Sequence, residues 1–407
     1  MKQRIVILGS TGSIGGSALH VLAGLRETHT VVGLAAQSRW AALAAQANQW
    51  APEFVAITDA GCADELGRAL KVQTHVLTGA DALVKLVEAS DCDCVVSAIV
   101  GVAGLPATLR AIELGKRVAL ANKEALVVGG ALLMPLARRS GAQLIPVDSE
   151  HSAVFQAMQA GKRSEVRRIF LTASGGPFRT WDADRMHDAT LDDALNHPTW
   201  NMGPKISIDS ATMMNKALEI IEARWLFDLS PDQIEVVIHP ESIVHALVEF
   251  CDGALVAQVG SPDMRTPIQY ALTYPDRRTC PSRPLDFCAL RELHFEPPDP
   301  IRFPAIELGH EAARAGGAAG AVLNAANEAA VELFRAGALR FTEIVEVTRQ
   351  IVERAPGRAM RVEGQSLTLA ELLAADRWAR EQVQSSVMAG EWSGSIPALS
   401  AAKLSQS

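Results

Sequence analysis

Two carboxylates separated by a hydroxyl occur in the heptapeptide PVDSEHS (146–152), directly after the apolar run 142–145. Asp148 and Glu150 are two residues apart, so in an extended segment both side chains point to the same side. Adjacent carboxylates repel each other unless a cation joins them, either a lysine or a divalent ion such as Mg²⁺ or Mn²⁺. The alternative is a helix start, with Asp148 or Ser149 as the N-cap and Glu150 in the first turn.

A second polar cluster lies in the segment SATMMNKALEIIE (210–222), for which we predict a helix that begins near its first residue. Asn215 and Glu219 are four residues apart and share one face of this helix, and Lys216 flanks that face. Glu222 lies on the same face, three residues further on. The spacing does not choose between Glu219 and Glu222 as a third carboxylate. An amphipathic helix whose polar face meets water is the alternative.

Two loops offer further ligand contacts. The segment LTASGGPF (171–178) is predicted to be a strand followed by a Ser-Gly-Gly turn, whose backbone amides could hold an anion. An ordinary turn explains this segment equally well. The segment NHPTWNMGPK (196–205) holds His197 and Trp200 between two prolines without helix or strand periodicity. Such a loop is a candidate lid, and a surface loop with Trp200 buried in the core is the alternative.

A rival metal site is the segment HPESIVH (239–245), where Glu241 and His245 would share one face of a strand. The flanking apolar runs are typical of a sheet core, and no glycine-rich or lysine element lies nearby in the sequence. The segment therefore favours strand histidines with satisfied hydrogen bonds over a metal site.

A dinucleotide fingerprint opens the chain. The first strand runs into GSTGSIGG (9–16) and then into a helix, and in this arrangement backbone amides and the helix dipole hold a pyrophosphate. Its position in the first βα unit favours a nucleotide site over a turn without a ligand. The second strand ends in Gln37, Ser38 and Arg39 rather than in the acidic residue typical of NAD sites. A hydroxyl and a guanidinium suit a 2′-phosphate, which favours NADPH, although Arg39 alone is equally typical of an exposed helix start.

The elements that position these residues are predicted to form an α/β fold. Short apolar runs alternate with helical patterns up to residue 148, which indicates an N-terminal Rossmann-like domain with a mostly parallel sheet. The predicted strands are 4–8, 30–36, 54–58, 75–78, 94–100, 117–121 and 142–147, and the predicted helices are 13–24, 39–48, 81–89, 104–114 and 124–139.

The rest of the chain is less regular. Residues 149–273 are predicted to form a central α+β catalytic domain, and residues 274–304 a proline-rich linker. Residues 305–386 are alanine-rich and predict a C-terminal helical bundle with an N-cap at Thr342. Residues 387–407 are predicted to be a tail that is disordered from about Ser393. The elements predicted in the central domain are helices at 151–160 and 211–226 and strands at 166–172, 234–239 and 242–250.

Composition excludes several classes of protein. A chain of 407 residues exceeds a single hydrophobic core, and 48% apolar with 21% charged residues is typical of a globular protein. The net charge of -8 argues against nucleic acid as the main ligand but allows a small anion. The six cysteines show no CxxC spacing, so we expect reduced thiols in the cytoplasm. The N-terminus leads directly into a strand, and we expect neither a signal segment nor a membrane span.

The motifs GSTGSIG, ANKEALV (121–127), PVDSEHSA, LTASGGPF, HPTWNMG and SATMMNKALEIIEARWLF occur together and in this order. In this combination the whole chain resembles the 1-deoxy-D-xylulose 5-phosphate reductoisomerases of the non-mevalonate isoprenoid pathway. The resemblance implies a homodimer, with the central domain as its dimerisation domain. It also implies an enzyme that uses NADPH and Mg²⁺ or Mn²⁺, with Co²⁺ as a further candidate, to convert its sugar phosphate to 2-C-methyl-D-erythritol 4-phosphate.

The resemblance further implies roles for single residues. The metal ligands would be Asp148, Glu150 and Glu219, which decides between Glu219 and Glu222. The catalytic and substrate-binding residues would be Lys123, Ser149, Glu150, Ser174, His197, Trp200, Ser210, Asn215, Lys216 and Glu219. The cofactor contacts would be Thr11, Gly12, Ser13, Ile14, Asn122, Glu124 and Gly203, and we add Gln37, Ser38 and Arg39 for the 2′-phosphate. The turn at 37–39 departs from the glycine-containing version of many family members.

Overall fold

The computed structural model describes residues 1–200, 202–355 and 367–389, and it confirms the predicted α/β class. The N-terminal sheet has seven parallel strands in the order β4-β3-β2-β1-β5-β6-β7. Its strands are Gln3–Leu8 (β1), His29–Ala36 (β2), Phe54–Ile57 (β3), His75–Thr78 (β4), Cys94–Ser97 (β5), Arg117–Leu120 (β6) and Gln143–Pro146 (β7). The connecting helices are Ser13–Ala23 (α1), Trp40–Trp50 (α2), Ala63–Ala69 (α3), Ala82–Ala89 (α4), Leu105–Glu113 (α5) and Lys123–Ser140 (α6).

The strand order reverses between β1 and β5, and ligands of open parallel sheets bind beyond the carboxyl ends of strands at such a point. The glycine turn follows β1 at this edge. Asn122 and Lys123 follow β6, and Asp148 follows β7. The central strands are apolar on both faces because helices cover the sheet on each side. The fold therefore collects chemically active residues from distant segments along one edge of the sheet.

The second sheet is mixed and has the order β11-β10-β8-β9, with β8 and β9 parallel and the other pairs antiparallel. Its strands are Val166–Ala173 (β8), Ile234–Ile238 (β9), Val244–Phe250 (β10) and Leu255–Val259 (β11). The helices of this part are Ser149–Ala157 (α7), Ala183–His187 (α8), Leu191–Leu195 (α9), Pro204–Ala211 (α10), Met214–Phe227 (α11) and Arg265–Thr273 (α12). The sequence did not predict α3, α8, α9, α10, β11 or α12, which are short or lie at an edge.

The helix predicted from residue 211 to 226 is wrong at its start. Helix α10 ends at Ala211, and Met213 has a left-handed φ of 61° before α11 begins. The Thr212 hydroxyl donates to the Ile208 carbonyl at 3.1 Å and accepts from the Met214 amide at 3.2 Å. These local side-chain bonds compete with a continuous helix and stabilise the break. Ser210 therefore lies on a different helix from Lys216.

The C-terminal helices are Ala305–Ala315 (α13), Ala319–Arg335 (α14), Glu343–Arg354 (α15) and Leu369–Met388 (α16). They pack against the helices that carry the candidate site. A Cβ at Gly320 of α14 would lie 2.1 Å from the Val127 carbonyl of α6, and one at Gly309 of α13 would lie 2.6 Å from the Ala217 Cα of α11. Glycine permits both close approaches.

Two predictions for the C-terminal part differ in detail from the structure. Thr342 is the N-cap residue of α15, as predicted, but its φ of -66° is already helical and its side chain makes no cap bond. The Arg340 amide bonds to the Glu343 carboxylate at 2.6 Å instead. Helix α16 extends to Met388, and the rest of the predicted tail from residue 390 lies outside the described residues. In the part of the chain that the structure describes, every helix is too short or too polar to cross a bilayer.

Candidate active site

Three carboxylates from two separate segments converge at the edge of the first sheet. Asp148 ends the segment after β7, Glu150 lies in the first turn of α7, and Glu219 projects from α11. One oxygen of each lies within 4.8 Å of the others. Asp148 is also the N-cap of α7, since its carboxylate accepts from the Glu150 amide at 3.3 Å. The cap interpretation and the cluster interpretation of PVDSEHS therefore both hold.

Two lysines neutralise this cluster. The Lys123 ammonium lies 2.7 Å from Asp148 Oδ2 and 3.1 Å from Glu219 Oε1. The Lys216 ammonium lies 2.9 Å from Glu150 Oε1 and 2.5 Å from Glu219 Oε2, and it donates to the Thr172 carbonyl at 2.6 Å. Charges buried this deeply are tolerated only when they are paired. The polar face of α11 therefore points into the protein, toward the cleft, and not to the outer surface.

Burial and pairing shift the pKa values of the cluster in opposite directions. Burial and the neighbouring Glu150 raise the pKa of Glu219. Burial acts in the same direction on Asp148, but the Lys123 ammonium holds the pKa of that carboxyl well below its usual range. Burial lowers the pKa of Lys216, yet Glu150 and Glu219 outweigh it and raise that pKa overall. Three hard oxygen donors that need positive charge match the ligand preference of a small divalent cation.

A histidine behind the cluster was not assigned a role from the sequence. The His151 ring places Nε2 at 3.0 Å from the Glu219 carbonyl and Nδ1 at 3.2 Å from Asp148 Oδ1. Glu222 Oε2 lies 3.6 Å from the same Nδ1. Burial raises the pKa of Glu222 to about 8, and for His151 the effect of Glu222 and Asp148 exceeds that of burial and raises the pKa to about 9. The spacing of three from Asp148 was the available signal for this contact.

Asp148, His151 and Glu222 form a second set of potential metal ligands. The two sets differ in access. Asp148, Glu150 and Glu219 all line one cleft, whereas His151 and Glu222 are fully buried outside its lining. The first set therefore lies wholly in the cleft, and the second set shares only Asp148 with it.

The cleft brings together many of the residues singled out in the sequence. Its lining includes Ser13, Ile14, Lys123, Asp148, Ser149, Glu150, Ser174, His197, Trp200, Gly203, Ser210, Asn215, Lys216 and Glu219. Asn122 and Glu124 line an adjoining pocket that shares Ile14 and Lys123. Thr11, Gly12, Gln37, Ser38 and Arg39 lie outside both linings. His245 also lines the cleft, with its ring centroid 6.4 Å from that of Trp200, although the sequence suggested only a place in the sheet core.

The Ser-Gly-Gly turn after β8 and the candidate lid meet at one hydrogen bond. His197 Nε2 lies 2.9 Å from Ser174 Oγ, and His197 Nδ1 accepts from the amides of Thr199 and Trp200 at 3.1 Å and 2.9 Å. Because Nδ1 accepts, the ring proton lies on Nε2, and burial lowers the pKa of this histidine so that the ring stays neutral. Ser174 Oγ therefore accepts from the ring and can donate its own proton into the cleft.

Glycine is required in that turn for two reasons. Gly176 has a φ of 65°, and a Cβ there would lie 2.7 Å from the Ser210 carbonyl. The close approach places the Ser174 turn against the end of α10. Trp200 is half-buried and lines the cleft, so its side chain is not a plug in the core.

The nucleotide side of the cleft has the geometry of a phosphate-binding turn. Gly12 is the N-cap of α1, and a Cβ at Gly15 would lie 2.3 Å from the Gly9 carbonyl, so the helix start packs tightly on the turn. Asn122 caps α6 through the Ala125 amide at 3.2 Å and donates to the Gly101 carbonyl at 2.9 Å. These bonds fix the loops after β5 and β6 around the turn.

The residues that follow β2 are less buried than the glycine turn. Gln37, Ser38 and Arg39 are all exposed. The Arg39 guanidinium donates to the Thr11 carbonyl at 3.1 Å and so reaches the glycine turn. This contact places a positive charge beside the turn.

The described residues around Glu241 do not form the alternative metal site considered for the segment 239–245. Glu241 lies in the turn before β10, and its carboxylate is 2.5 Å from His294 Nδ1. His239 Nδ1 lies 2.8 Å from the His294 carbonyl, and its Nε2 accepts from the Val244 amide at 3.1 Å. His239 is thus a buried histidine with satisfied hydrogen bonds.

Three family models match the chain in order. The 1-deoxy-D-xylulose 5-phosphate reductoisomerase model covers residues 5–130, its C-terminal domain model covers 144–227, and the DXP reductoisomerase C-terminal domain model covers 259–382. A reductoisomerase of Aromatoleum aromaticum is 48% identical over 395 residues, which are 95% of this chain and 96% of that protein. A reductoisomerase of Cupriavidus necator is 48% identical over 393 residues, which are 95% of this chain and 98% of that protein.

Solved structures agree with these relatives. A DOX-P reductoisomerase in complex with NADPH, fosmidomycin and magnesium has a TM-score of 0.90 and 39% identity, over 96% of this chain and 99% of that one. The Zymomonas mobilis reductoisomerase in complex with NADPH has a TM-score of 0.88 and 42% identity, over 95% and 99%. The chain therefore belongs to the 1-deoxy-D-xylulose 5-phosphate reductoisomerase family.

Proposed function

We propose that this chain rearranges 1-deoxy-D-xylulose 5-phosphate and reduces the product to 2-C-methyl-D-erythritol 4-phosphate in the non-mevalonate route to isoprenoid precursors. One observation carries the proposal. A single cleft joins Ser13 and Ile14 of the glycine turn to Asp148, Glu150 and Glu219. A nucleotide-binding turn thus faces a ligand set for a hard cation, as a metal-dependent reduction requires.

Asp148, Glu150 and Glu219 are the proposed ligands of the cation. Mg²⁺ is present in a solved relative, and Mn²⁺ and Co²⁺ are the further candidates. When bound, the cation supplies Lewis-acid polarisation of the substrate's ketone and neighbouring hydroxyl oxygens. Lys123 and Lys216 offset the negative charge of the ligand set. Ser149, whose hydroxyl lies 2.5 Å from Glu150 Oε2, is the proposed contact to a substrate hydroxyl.

The substrate phosphate is proposed to bind at Lys216 and the polar groups around it. Ser174, Ser210 and Asn215 line the same part of the cleft, and Ser174 has a proton to donate because His197 donates to its oxygen. Phosphate binding energy then fixes the reacting end of the substrate. His197 and Trp200 are proposed to close over the cleft and exclude water.

The glycine turn is proposed to hold the pyrophosphate of NADPH, which supplies the hydride that reduces the aldehyde product of the rearrangement. Ser13 and Ile14, in the first turn of α1, line the cleft, and the N-terminus of a helix favours an anion. Arg39, with Gln37 and Ser38, is proposed to bind the 2′-phosphate. The proposed cofactor contacts are Thr11, Gly12, Ser13, Ile14, Gln37, Ser38, Arg39, Asn122, Glu124 and Gly203.

The test is an absorbance assay of NADPH oxidation with the purified chain. Absorbance should fall only when both 1-deoxy-D-xylulose 5-phosphate and Mg²⁺ or Mn²⁺ are present, and EDTA should stop the reaction. Turnover that continues in EDTA would refute the metal assignment. Rearrangement without NADPH consumption would indicate a sugar-phosphate isomerase, and NADPH binding without turnover a regulatory protein.

A homodimer is proposed because an edge of the second sheet is exposed. Among the residues that the structure describes, strand β11 pairs only with β10, and Leu255 and Val259 on it are exposed apolar residues. An unpaired apolar edge is a favourable surface for a second copy. Light scattering should give twice the mass of the chain, and Leu255→Lys should shift the equilibrium toward the monomer. A monomeric wild type would contradict the proposal.

The proposed domain limits are those predicted from the sequence. They are 1–148 for NADPH, 149–273 for catalysis and dimerisation, 274–304 for the linker, 305–386 for the helical part and 387–407 for the tail. The cytoplasm is the proposed location, because all six cysteines are unpaired thiols. Limited proteolysis tests the limits, since the first cuts should fall within 274–304.

A further inference from the structure

A chain of ion pairs runs from the cofactor side of the cleft into the C-terminal helices. Lys205 stands at its centre, in the first turn of α10 and two residues after Gly203. Its ammonium lies 3.0 Å from Glu124 Oε1 at the start of α6 and 2.9 Å from Asp209 Oδ2 on α10. Glu328 Oε1 of α14 lies 3.8 Å from the same nitrogen. Lys205 therefore joins three elements at the end of the candidate lid.

The C-terminal helices continue the chain. Arg380 of α16 lies 2.6 Å from Glu328 Oε2 and 2.8 Å from Asp376 Oδ2. Asn327 of α14 donates to the second oxygen of Asp209 at 2.8 Å. The helical bundle thus holds Asp209 and Glu328 from the side opposite to the cleft.

These charges are too deeply buried for an ordinary surface salt bridge. The side chains of Glu124 and Asp209 are 7% and 1% exposed, and that of Lys205 is 16% exposed. Burial lowers the pKa of Lys205, but Asp209 and Glu124 outweigh it and raise that pKa, so the ammonium stays charged. Burial raises the pKa of Glu124, but Lys205 lowers it overall. Breaking one partner of such a pair leaves an uncompensated buried charge.

The position of the network connects it with the cofactor. Glu124 and Lys205 line the pocket that adjoins the cleft, together with Ile14 of the glycine turn. Glu328 and Arg380 lie outside that lining. The bundle therefore contacts two residues of this pocket's lining from behind, Lys205 through Glu328 and Asp209 through Asn327.

We infer that Lys205 is a positioning residue for NADPH, and that Glu328 and Arg380 of the C-terminal helices fix its position. Lys205 holds the Glu124 carboxylate at the pocket wall and anchors the end of the lid at Gly203. The inference rests on the proposed cofactor role of Glu124. It gives the C-terminal helices a part in cofactor binding, although none of their residues lines the two pockets of the site.

The test measures cofactor and substrate separately. Glu328→Gln keeps the size of the side chain and removes its charge. We expect the Kd for NADPH, from quenching of tryptophan fluorescence, to rise about fivefold, a typical coupling between distant sites. The KM for 1-deoxy-D-xylulose 5-phosphate should change less than about twofold. Glu311→Gln is the matched control, because it removes an exposed ion pair to Arg349 in the same bundle.

Substitution of Lys205 itself should raise the Kd for NADPH more than Glu328→Gln does. Lys205→Met should raise the Kd for NADPH about 50-fold, within the usual range of coupling, and Lys205→Arg should restore most of the affinity. Since Lys205→Met leaves two buried carboxylates without their cation, its thermal denaturation is recorded first. If it does not fold, Glu328→Gln and Lys205→Arg decide.

Three outcomes would overturn the inference. The first is an unchanged Kd for NADPH in Glu328→Gln. The second is an equal rise of the Kd for NADPH and of the KM for 1-deoxy-D-xylulose 5-phosphate in Lys205→Arg and Glu328→Gln, which would show only a general loss of structure. The third is a loss in Glu311→Gln as large as in Glu328→Gln. A wild type that binds no NADPH at all would instead refute the proposed function, so the two failures are distinguishable.

Discussion

The proposed metal end and the proposed 2′-phosphate end of the site are built differently. At the metal end, Lys216 and Glu219 have side chains that are 3% and 1% exposed, and each charge has at least two polar partners. At the other end, Gln37, Ser38 and Arg39 lie exposed on a turn. Helix α11 carries the first group, with Lys123 on α6 and Glu150 on α7 as ion-pair partners, whereas the second group follows the end of β2.

This difference indicates where the enzyme is preorganised. Buried charges on packed helices hold their geometry before a ligand arrives, so they contribute most to transition-state stabilisation. An exposed turn can adjust when the ligand binds, and each contact there contributes little. Substitutions should therefore have their largest effects at the metal end and their smallest at the turn.

The largest expected effect is at Glu219. Glu219→Gln removes a charged oxygen from the proposed ligand set, and kcat/KM should fall about 10³-fold, as on loss of a transition-state contact. Glu222→Gln should lower kcat/KM about tenfold, because Glu222 acts only through His151 behind the set. The measurement is NADPH oxidation at saturating Mg²⁺.

The control for this pair is Mn²⁺ binding, followed by electron paramagnetic resonance. Glu219→Gln should weaken binding more than Glu222→Gln. The reverse order would place the cation on Asp148, His151 and Glu222. It would contradict the expectation that the largest effects fall on the set Asp148, Glu150 and Glu219.

The next effect is on stability. Mg²⁺ at about 100 times its Kd should stabilise the folded chain by about 2.7 kcal/mol, because the cation binds the native carboxylates and not the unfolded chain. Thermal denaturation with Mg²⁺ and with EDTA measures the increment. Asp148→Asn should lose the increment, and Asp188→Asn, an exposed residue outside the cleft, should keep it. An equal increment in both variants would contradict the metal assignment.

The sequence predicted most of the first sheet because its strands are apolar runs between turns and helices. It missed the edge strand β11, although Leu255–Val259 is itself a mostly apolar run. It also missed the break before α11. That break depends on the hydroxyl of Thr212 and the left-handed φ of Met213, and neither has a periodic signal.

The candidate site shows the same difference between residues that local patterns predict and pairs that only packing brings together. Asp148, Glu150 and Glu219 occur in motifs, and the resemblance joined them before any geometry was known. The pairing of Lys123 with Asp148, and of Lys205 with Glu328, depends on packing between elements far apart in the chain. Single-sequence patterns report local periodicity, so such pairs remain invisible to them.

The third prediction concerns pH. Burial lowers the pKa of His197, so the ring is neutral at pH 7 and becomes protonated only below its ordinary value of 6.5. Protonation of Nδ1 breaks the bonds from the Thr199 and Trp200 amides, at about 1 kcal/mol each. The KM for 1-deoxy-D-xylulose 5-phosphate should therefore rise about 30-fold at full protonation.

The free energy of unfolding should also fall as pH falls. The unfolded chain takes up the His197 proton at a higher pH than the folded chain does, so stability is lost as pH falls below the unfolded pKa. His197→Gln cannot take up a proton and should flatten the acid limb of KM, while His75→Gln, at an exposed histidine, should keep it. An acid limb unchanged in His197→Gln would show that the substrate phosphate alone causes it.

The smallest expected effect is at Arg39. Arg39→Ala removes an exposed guanidinium, so the KM for NADPH should rise about fivefold, equivalent to about 1 kcal/mol, while the KM for NADH stays unchanged. Lys85→Ala, which removes an exposed pair to Asp81, is the control and should change neither value. Because Arg39 also bonds to the Thr11 carbonyl, an equal rise for both cofactors would mean that it shapes the glycine turn and does not read the 2′-phosphate. A 10³-fold rise of the KM for NADPH in Arg39→Ala would equal the effect expected for Glu219→Gln. The exposed turn would then matter as much as the buried carboxylates, which would contradict the comparison between the two ends.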